Sequence, residues 1–463
     1  MKESNMLKSV FVGQLFGRFD YNLNFKNSND HSKALTIITA PNGYGKSTIL
    51  RLIDDLLRGN YSKLGRTSFD ELILESTDDH GIYINRKINN SLEGLEENVT
   101  LEFKSIFKGK NLQSSANSWS ITVQQNQNND AEEDMNIARR YDFSIVEFAE
   151  RTLKLRRAGL NGWRDPNNGQ LYSKAEILDR YESRRLNNLG NAEPKWLIDF
   201  RKSLPVLYIS ANRLRVDLEI QSHRRMQGGE KVEVISEKVL DQIRDFNRSY
   251  AEAGRRLEQD FAARVIAALG ANSKVSEIEV GRLMEKVRIM EDEYQKLGLL
   301  STGQSVKTHD FPKDISALKV LNIYLEDIYQ KISSLEGPVN RLKLFVQTLN
   351  SMLIFKKIVL NSNAGFVVIG DDQKNIPLKS LSSGEQHLIV LLGELIFESI
   401  NIRAVLLDEP EISFHPAWQE LFPEVLAKIV SMNACMIVVA THSPTVIGDN
   451  WESVIELAEQ VPI

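Results

Sequence analysis

Cysteine is almost missing from this chain of 463 residues: the only one is Cys435, inside an apolar run. No internal disulfide can form, which fits a reducing compartment. Long hydrophobic runs are missing as well, and none approaches the length of a membrane-spanning helix. The opening stretch "MKESNMLKSVFVGQLFGRF" is too short and broken in its apolar part for a signal peptide. Nor is there an excess of one charge. Lys plus Arg (57) nearly balance Asp plus Glu (62), leaving −5, so no global field directs the chain to nucleic acid or to a membrane. No zinc-finger, winged-helix or RNA-binding pattern is visible. These absences predict a soluble cytoplasmic protein with no membrane partner, long enough for two or three packed domains.

What is present is ordered pattern. Residues 7–26 read as strand, turn, strand, with Phe16-Gly17-Arg18-Phe19 between. "ALTIITA" (34–40) is a buried strand by its β-branched run, and "GKSTILRLIDDLL" (45–57) follows with helical spacing. "ELILES" and "GIYINRKI" flank Thr77-Asp78-Asp79-His80-Gly81, a hairpin signal, and "VTLEFK" and "SWSITVQQ" continue the β pattern. Residues 124–136 read as a mobile polar loop, and 143–201 as polar and mostly helical, ending in the strand "LPVLYIS" (204–210).

In the middle of the chain, apolar residues recur at steps of three or four in three stripes. The first runs through Val239, Ile243, Phe246, Tyr250 and Leu257 to Val265, the second from Ile278 to Leu297, the third from Leu318 to Leu335. They predict amphipathic helices in an antiparallel arm, broken near 270–273 and 299–313; an ordinary helical subdomain has the same period. After 354 come "KKIVLN", "GFVVIG", "IPLKSL", a helix from 384, the strand "AVLLD", a helix from 416 and the strand "MIVVA". Strand–helix alternation at both ends implies one α/β domain assembled from the two termini.

Three strings in that frame carry chemistry. "APNGYGKST" (40–48) follows a strand and opens a helix, the context a phosphate-binding loop requires. Backbone N–H groups from Asn42, Gly43, Tyr44, Gly45, Lys46 and Ser47, with Thr48 beyond, would curl around the β- and γ-phosphates of ATP. Lys46 supplies a point charge and Ser47 a hydroxyl for Mg²⁺, while Ala40 stands where the pattern has its first glycine. "AVLLDEP" (404–410) ends a buried strand in two carboxylates: Asp408 can orient Mg²⁺, and Glu409 can polarise an attacking water. "LSSGEQ" (381–386) precedes a helix whose N-terminus favours an anion, although alone it reads as a plain N-cap.

The order APNGYGKST, LSSGEQ, LLDEP, THSP resembles the ABC-type ATPases, and most closely their SMC-like, non-transporter branch. That resemblance implies an ABC-type ATPase head with a β arm and an inserted helical, short coiled-coil-like subdomain. It implies Glu409, His442 and Lys46 as catalytic residues, with His442 sensing the γ-phosphate. Ser382, Ser383, Gly384 and Glu385 would reach the nucleotide of a second copy, so that two heads sandwich two ATPs. Ser383 stands where the signature usually has its first glycine, and Glu385 where transporters have glutamine. The long stretch between Lys46 and Leu381 disfavours a transporter subunit. Domain boundaries are expected at 1–210, 211–353 and 354–463.

"DEPEISFHPAWQ" (408–419) is similar to prokaryotic SMC-like ATPases of overcoming-lysogenisation and phage-defence type. The motifs, together with the "FGRF" opening and the modest helical arms, resemble the ATPase subunits of the Septu and PARIS systems. The implied function is a sensor and scaffold that oligomerises and controls a separate effector, a nuclease, in anti-phage defence. Further partners would be DNA or a phage-encoded trigger. In OLD-type relatives a nuclease domain follows the THSP strand, and the stretch after His442 is too short to encode one. The alternative is a DNA-repair ATPase that clamps DNA when its heads close.

Smaller assignments stay open. Phe16, Phe19 or Tyr21 would stack on adenine or fill the core, and Gln124 or Gln125 would couple Mg²⁺ to the insertion. His415 reads as a loop-structuring residue rather than a metal ligand. The clusters Arg139-Arg140, Arg151-Lys154-Arg156-Arg157, Arg184-Arg185 and Arg213-Arg215-Arg224-Arg225 are a phosphate track or a solvated face.

Overall fold

The computed structural model describes residues 5–25, 34–90, 97–108, 110–111, 117–124, 149–150, 153–157, 162–164, 166, 171–173, 193–211, 231–271, 275–300, 314–412 and 414–461. Gln125, the predicted loop beyond it, the arginine pairs at 139–140 and 184–185, the 213–225 cluster and the 301–313 break lie outside these residues. The chain packs into two compact units, one of Met1–Gly228 with Ser399–Ile463 and one of Gly229–Glu398.

Runs of apolar residues without alternation are what a parallel sheet buried on both faces demands. Leu35–Thr39, Ala404–Asp408 and Met436–Ala440 are such runs, and every residue in them is buried. In the first unit they form a five-stranded sheet in the order Val206–Ile209, Ala404–Asp408, Met436–Ala440, Leu35–Thr39, Val454–Glu456. All four pairings are parallel. The α/β class is therefore as expected, with the sheet drawn from both ends of the chain. Parallel pairing also sets the C-terminal ends of the strands, and so Ala40, Asp408 and Thr441, along one edge.

Alternating patterns build the other sheet of this unit. Phe19–Asn24 and Glu71–Ser76 bury every second residue, as strands with one solvated face do. They belong to a seven-stranded antiparallel sheet with Leu7–Leu15, His80–Asn90, Glu97–Phe107, Lys110–Asn111 and Ser118–Gln124. The hairpin predicted at Thr77–Gly81 is there, closed by Asp79 in the left-handed region (φ 64°). The mostly helical reading of 143–201 is not met among the described residues. Among those residues, 149–150 and Lys195–Ser203 are helical, but Arg156–Arg157, Gly162–Arg164 and Leu171–Ser173 form a small antiparallel sheet. Asp165-Pro166-Asn167-Asn168-Gly169 is the turn signal that the polar composition concealed.

The second unit is a helical insertion around a three-stranded antiparallel sheet, Lys356–Asn361, Gly365–Gly370 and Asn375–Ile376. Lys231–Gly270 runs antiparallel to Ile315–Ser333. Lys319 near the start of the latter donates to Ala268 O (3.0 Å) and Ala271 O (2.6 Å), and Lys331 near its end covers the ring of Tyr250. Lys319 thereby caps the carbonyls that a helix C-terminus leaves free.

The first stripe faces inward along its length: Val239, Ile243 and Phe246 are buried and Tyr250, Leu257 and Val265 half-buried, while Ile266 and Leu269, off the stripe, are exposed. In Glu277–Lys296, Val287 and Tyr294 of the second stripe are buried as expected, but Ile278 is 68% exposed and Val280 takes the buried place at that end. Val280 packs with Leu318 and Leu325 of the third stripe, where Leu318, Leu325, Ile332 and Leu335 are buried as expected.

Candidate functional site

The phosphate loop joins Leu35–Thr39 to the helix Lys46–Arg58 at the C-terminal edge of the parallel sheet. Gly43 (φ 90°) and Gly45 (φ 85°) take the left-handed backbone that side chains resist, and Ala40 does not. A Cβ on Gly45 would also come within 2.8 Å of Leu15. Glycine is thus required at those two positions, and alanine at the loop's entry strains nothing. Tyr44 turns its ring away to stack on Phe19 (centroids 5.5 Å), and its carbonyl accepts from Tyr21 Oη (2.9 Å). Phe19 and Tyr21 are buried under the loop, and burial pushes the Tyr21 hydroxyl up to about 12.

Side chains from three strand ends meet here. Ser47 Oγ donates to Asp408 Oδ1 (2.6 Å), and Asp408 is 2% exposed. Lys46 is 5% exposed; its Nζ donates to Ala40 O (2.9 Å) and lies 2.5 Å from His442 Nε2. An ammonium can only donate, so the imidazole meets it with an unprotonated nitrogen. Burial holds the Lys46 pKa below its ordinary value, against the opposing pull of Glu409, Asp408, Glu411 and Glu456. Glu409 Oε1 is 3.6 Å from His442 Nε2, and the Glu409 backbone is left-handed (φ 45°). Such a conformation costs a non-glycine residue on the order of 1 kcal/mol or more and clusters at functional sites. The Glu409 N–H donates to Ala440 O (2.8 Å), which ties it to the strand that delivers His442.

A cleft lined by Phe16, Asn42, Gly43, Gly45, Lys46, Ser47, Thr48, Glu409 and His442 collects these groups. A second, lined by Phe16, Thr48, Arg51, Asp55, Lys63, Arg66, Thr67 and Ser68, shares Phe16 and Thr48 with it. Phe16 is 44% exposed and left-handed (φ 57°). Of the three aromatic residues considered for a base, Phe16 is the one with an open face. The hydroxyl of Ser47 beside the carboxylate of Asp408 is a pair of hard oxygens, the donor chemistry Mg²⁺ takes alongside phosphate oxygens and water.

Two participants were not legible beforehand. Tyr208 Oη donates to Asp408 Oδ2 (3.1 Å) and accepts from Arg51 Nε (3.2 Å). Burial and Asp408 raise the Tyr208 hydroxyl well above the usual phenol value. Glu411 Oε1 accepts from Thr441 Oγ1 (2.5 Å) and His442 N (3.1 Å). The signal for Tyr208 was its place at the end of "LPVLYIS", and for Glu411 its spacing from Glu409. His415 is an exposed N-cap whose Nδ1 accepts from Ala417 N (3.3 Å). Among the described residues, no three His, Cys, Asp or Glu side chains are grouped to hold a metal.

The 381–386 string belongs to the second unit. Ser382 caps the helix Ser383–Gly393: its Oγ accepts from Glu385 N (3.4 Å), and Glu385 Oε2 accepts from Ser382 N (2.9 Å). Lys356 Nζ donates to both Glu385 oxygens (2.7 and 2.8 Å). Burial works against the Glu385 carboxylate, but Lys356 and Ser382 outweigh it and hold its pKa below the ordinary value. Ser382 and Ser383 are exposed and Gly384 partly so, whereas the Glu385 carboxylate is engaged inside its own unit.

Residues 16–447 match the family described as AAA ATPase domain. No curated protein matches the chain. Among solved structures it is similar to the Smc head domain with an extended coiled coil bound to the C-terminal domain of ScpA, from Pyrococcus furiosus. The identity is 12% and the TM-score 0.34, over 98% of this chain and 93% of that one. It is also similar to the SMC head domain from Thermotoga maritima, at 9% identity and TM-score 0.31, over 97% of this chain and 94% of that one.

Proposed function

The chain belongs to the AAA ATPase domain family, and from that premise we propose that it binds and hydrolyses Mg·ATP between two copies of itself to control a separate effector protein. The observation that carries the nucleotide part is the meeting of Lys46, Ser47, Asp408, Glu409 and His442 from three strand ends along one edge of a parallel sheet. Ligands of open α/β sheets sit at that edge.

In this reading the N–H groups of 42–48 and the helix they open cradle the phosphates, and Lys46 neutralises their charge. Ser47 and Asp408 would hold Mg²⁺, which when bound draws electron density from the phosphate oxygens. Glu409 takes the proton of the attacking water, and His442 fixes the phosphate end of the site. The base lies along Thr48 and Arg51 with its face on Phe16. The helix N-terminus at Ser382, Ser383 and Gly384, where both serines are exposed, would face the nucleotide of a second copy.

The role that the motif order supports is that of a sensor and scaffold in anti-phage defence, its effector a nuclease. The decisive experiment purifies the chain together with the product of the adjacent gene, with and without ATP. Retention of a nuclease-like partner, without ATP-dependent DNA affinity, supports this reading. Tight, salt-sensitive DNA binding with no partner retained overturns it in favour of a DNA-clamping repair ATPase.

A further inference from the structure

The loop after Asp408 and the turn at Thr441–Ser443 are tied at two points. One is the Glu409 N–H on Ala440 O. The other is Glu411, which gathers the Thr441 hydroxyl (2.5 Å) and the His442 N–H (3.1 Å) on one carboxylate oxygen. Thr441 is wholly buried, and its own hydroxyl oxygen accepts from Ser443 N (2.9 Å). Its N–H donates to Ile38 O (3.1 Å), in the strand that leads into the phosphate loop.

These contacts remove two freedoms. The short hydroxyl–carboxylate bond fixes the Thr441 rotamer, and the bond to His442 N fixes the peptide plane from which the imidazole departs. The imidazole leaves small tolerance, since its Nε2 stands 2.5 Å from Lys46 Nζ and 3.6 Å from Glu409 Oε1. Ser443, on the far side, is held separately by Gln419 Oε1 (2.7 Å). Glu411 meets His442 through the backbone N–H and not the imidazole, and its charge reaches Lys46 only through space. Its second oxygen, Oε2, is buried and has no hydrogen-bond partner among the described residues. A buried acceptor that is half used is costly, so a stability role alone does not account for a carboxylate there.

We propose that Glu411 is a positioning residue for His442, holding the Thr441 hydroxyl and the His442 N–H so that the imidazole stays against Lys46 and Glu409. The proposal rests on the reading of this site as one that hydrolyses ATP. Because it concerns placement and not contact with nucleotide, it separates turnover from binding. A displacement of about 1 Å at a reacting centre lowers turnover on the order of 100-fold, and affinity set by the phosphate loop is untouched.

The test measures ATP turnover and the affinity for a fluorescent ATP analogue with Mg²⁺, on the full chain and on Glu411→Ala, Thr441→Val and Thr441→Ser. The expected result is a kcat lowered on the order of 100-fold in Glu411→Ala, and strongly lowered in Thr441→Val, with affinity unchanged. Thr441→Ser, which restores the hydroxyl, returns to near the wild-type rate. Wild-type turnover in both Glu411→Ala and Thr441→Val overturns the proposal. So does an affinity loss as large as the turnover loss, or a failure of Thr441→Ser to recover. Should Glu411→Ala not fold, the Val and Ser variants decide alone. A wild-type chain that turns over no ATP removes the ATPase reading itself; wild-type turnover with indifferent variants removes only the role of Glu411.

Discussion

Lys46 Nζ and His442 Nε2 stand 2.5 Å apart although 396 positions separate them in sequence. The ammonium is buried against Ala40 O and the imidazole, so its direction is set before any nucleotide arrives. Lys46→Ala is expected to weaken ATP binding on the order of 10- to 100-fold, the worth of one charge-assisted contact. Equilibrium titration with a fluorescent ATP analogue checks it, and retained affinity would count against the site.

Glu409 is tied by its backbone to Ala440 and holds a left-handed conformation beside His442. Glu409→Gln keeps the shape and loses the base. It should bind ATP normally, stop turning it over and accumulate as a head-to-head assembly, visible by light scattering with ATP. Normal turnover in this variant would remove Glu409 from its role.

Tyr208 holds the second oxygen of Asp408, and Arg51 holds Tyr208. Groups that orient a metal-binding carboxylate typically contribute tenfold or more to metal affinity. In Tyr208→Phe the Mg²⁺ concentration giving half-maximal turnover should rise about tenfold. A Mg²⁺ titration matching wild type would mean that Asp408 needs no such support.

Asp55, on the phosphate-loop helix and lining the neighbouring cleft, has its carboxyl pushed up from 3.8 to about 6, chiefly by burial. Its folded form therefore holds the proton more tightly than the unfolded chain does. The stability contribution of this group falls as pH rises from 3.8 toward about 6, and the cost persists above that. Asp55→Asn should raise the melting temperature at pH 8 and leave it nearly unchanged at pH 4. Equal shifts at both values would show that ionisation is not the cause.

Ser382 is exposed at its helix N-terminus, while its partner Glu385 is held inward by Lys356. Ser382→Arg should abolish turnover alone. Mixed with Lys46→Ala protein, it should recover part of it, since one composite site in the mixed pair is intact. No recovery in an activity assay across mixing ratios would argue against a site shared between copies.

Much of this architecture could be read from local pattern, because local pattern was under a single pressure. The runs at 35–39, 404–408 and 436–440, apolar but for Thr36, Thr39 and Asp408, had to be buried on both faces, and the alternating run at 71–76 on one. The phosphate loop was legible because Gly43 and Gly45 have backbone angles few other residues tolerate. Where two pressures acted, the sequence was ambiguous. Ile278 fits a helical stripe but is exposed, since the packed face is set by Leu318 and Leu325 far along the chain. Phe16 and Phe19 flank one turn, and only the fold decides that Phe19 packs under Tyr44 while Phe16 faces the clefts. Tyr208 and Glu411 act through partners 200 and 30 positions away, and no local period encodes such pairs.

The strand Leu35–Thr39 lies between Met436–Ala440 and Val454–Glu456. During synthesis it therefore leaves the ribosome with neither neighbour yet made, and the loop it carries has no Asp408 or His442 to meet. More than 400 positions of chain must follow before its edge is covered, a long interval for an apolar strand with free hydrogen-bonding groups on both sides. The nucleotide site thus cannot assemble until the strands ending at Asp408 and Ala440 have been made, and a chain cut before them carries the phosphate loop without the function.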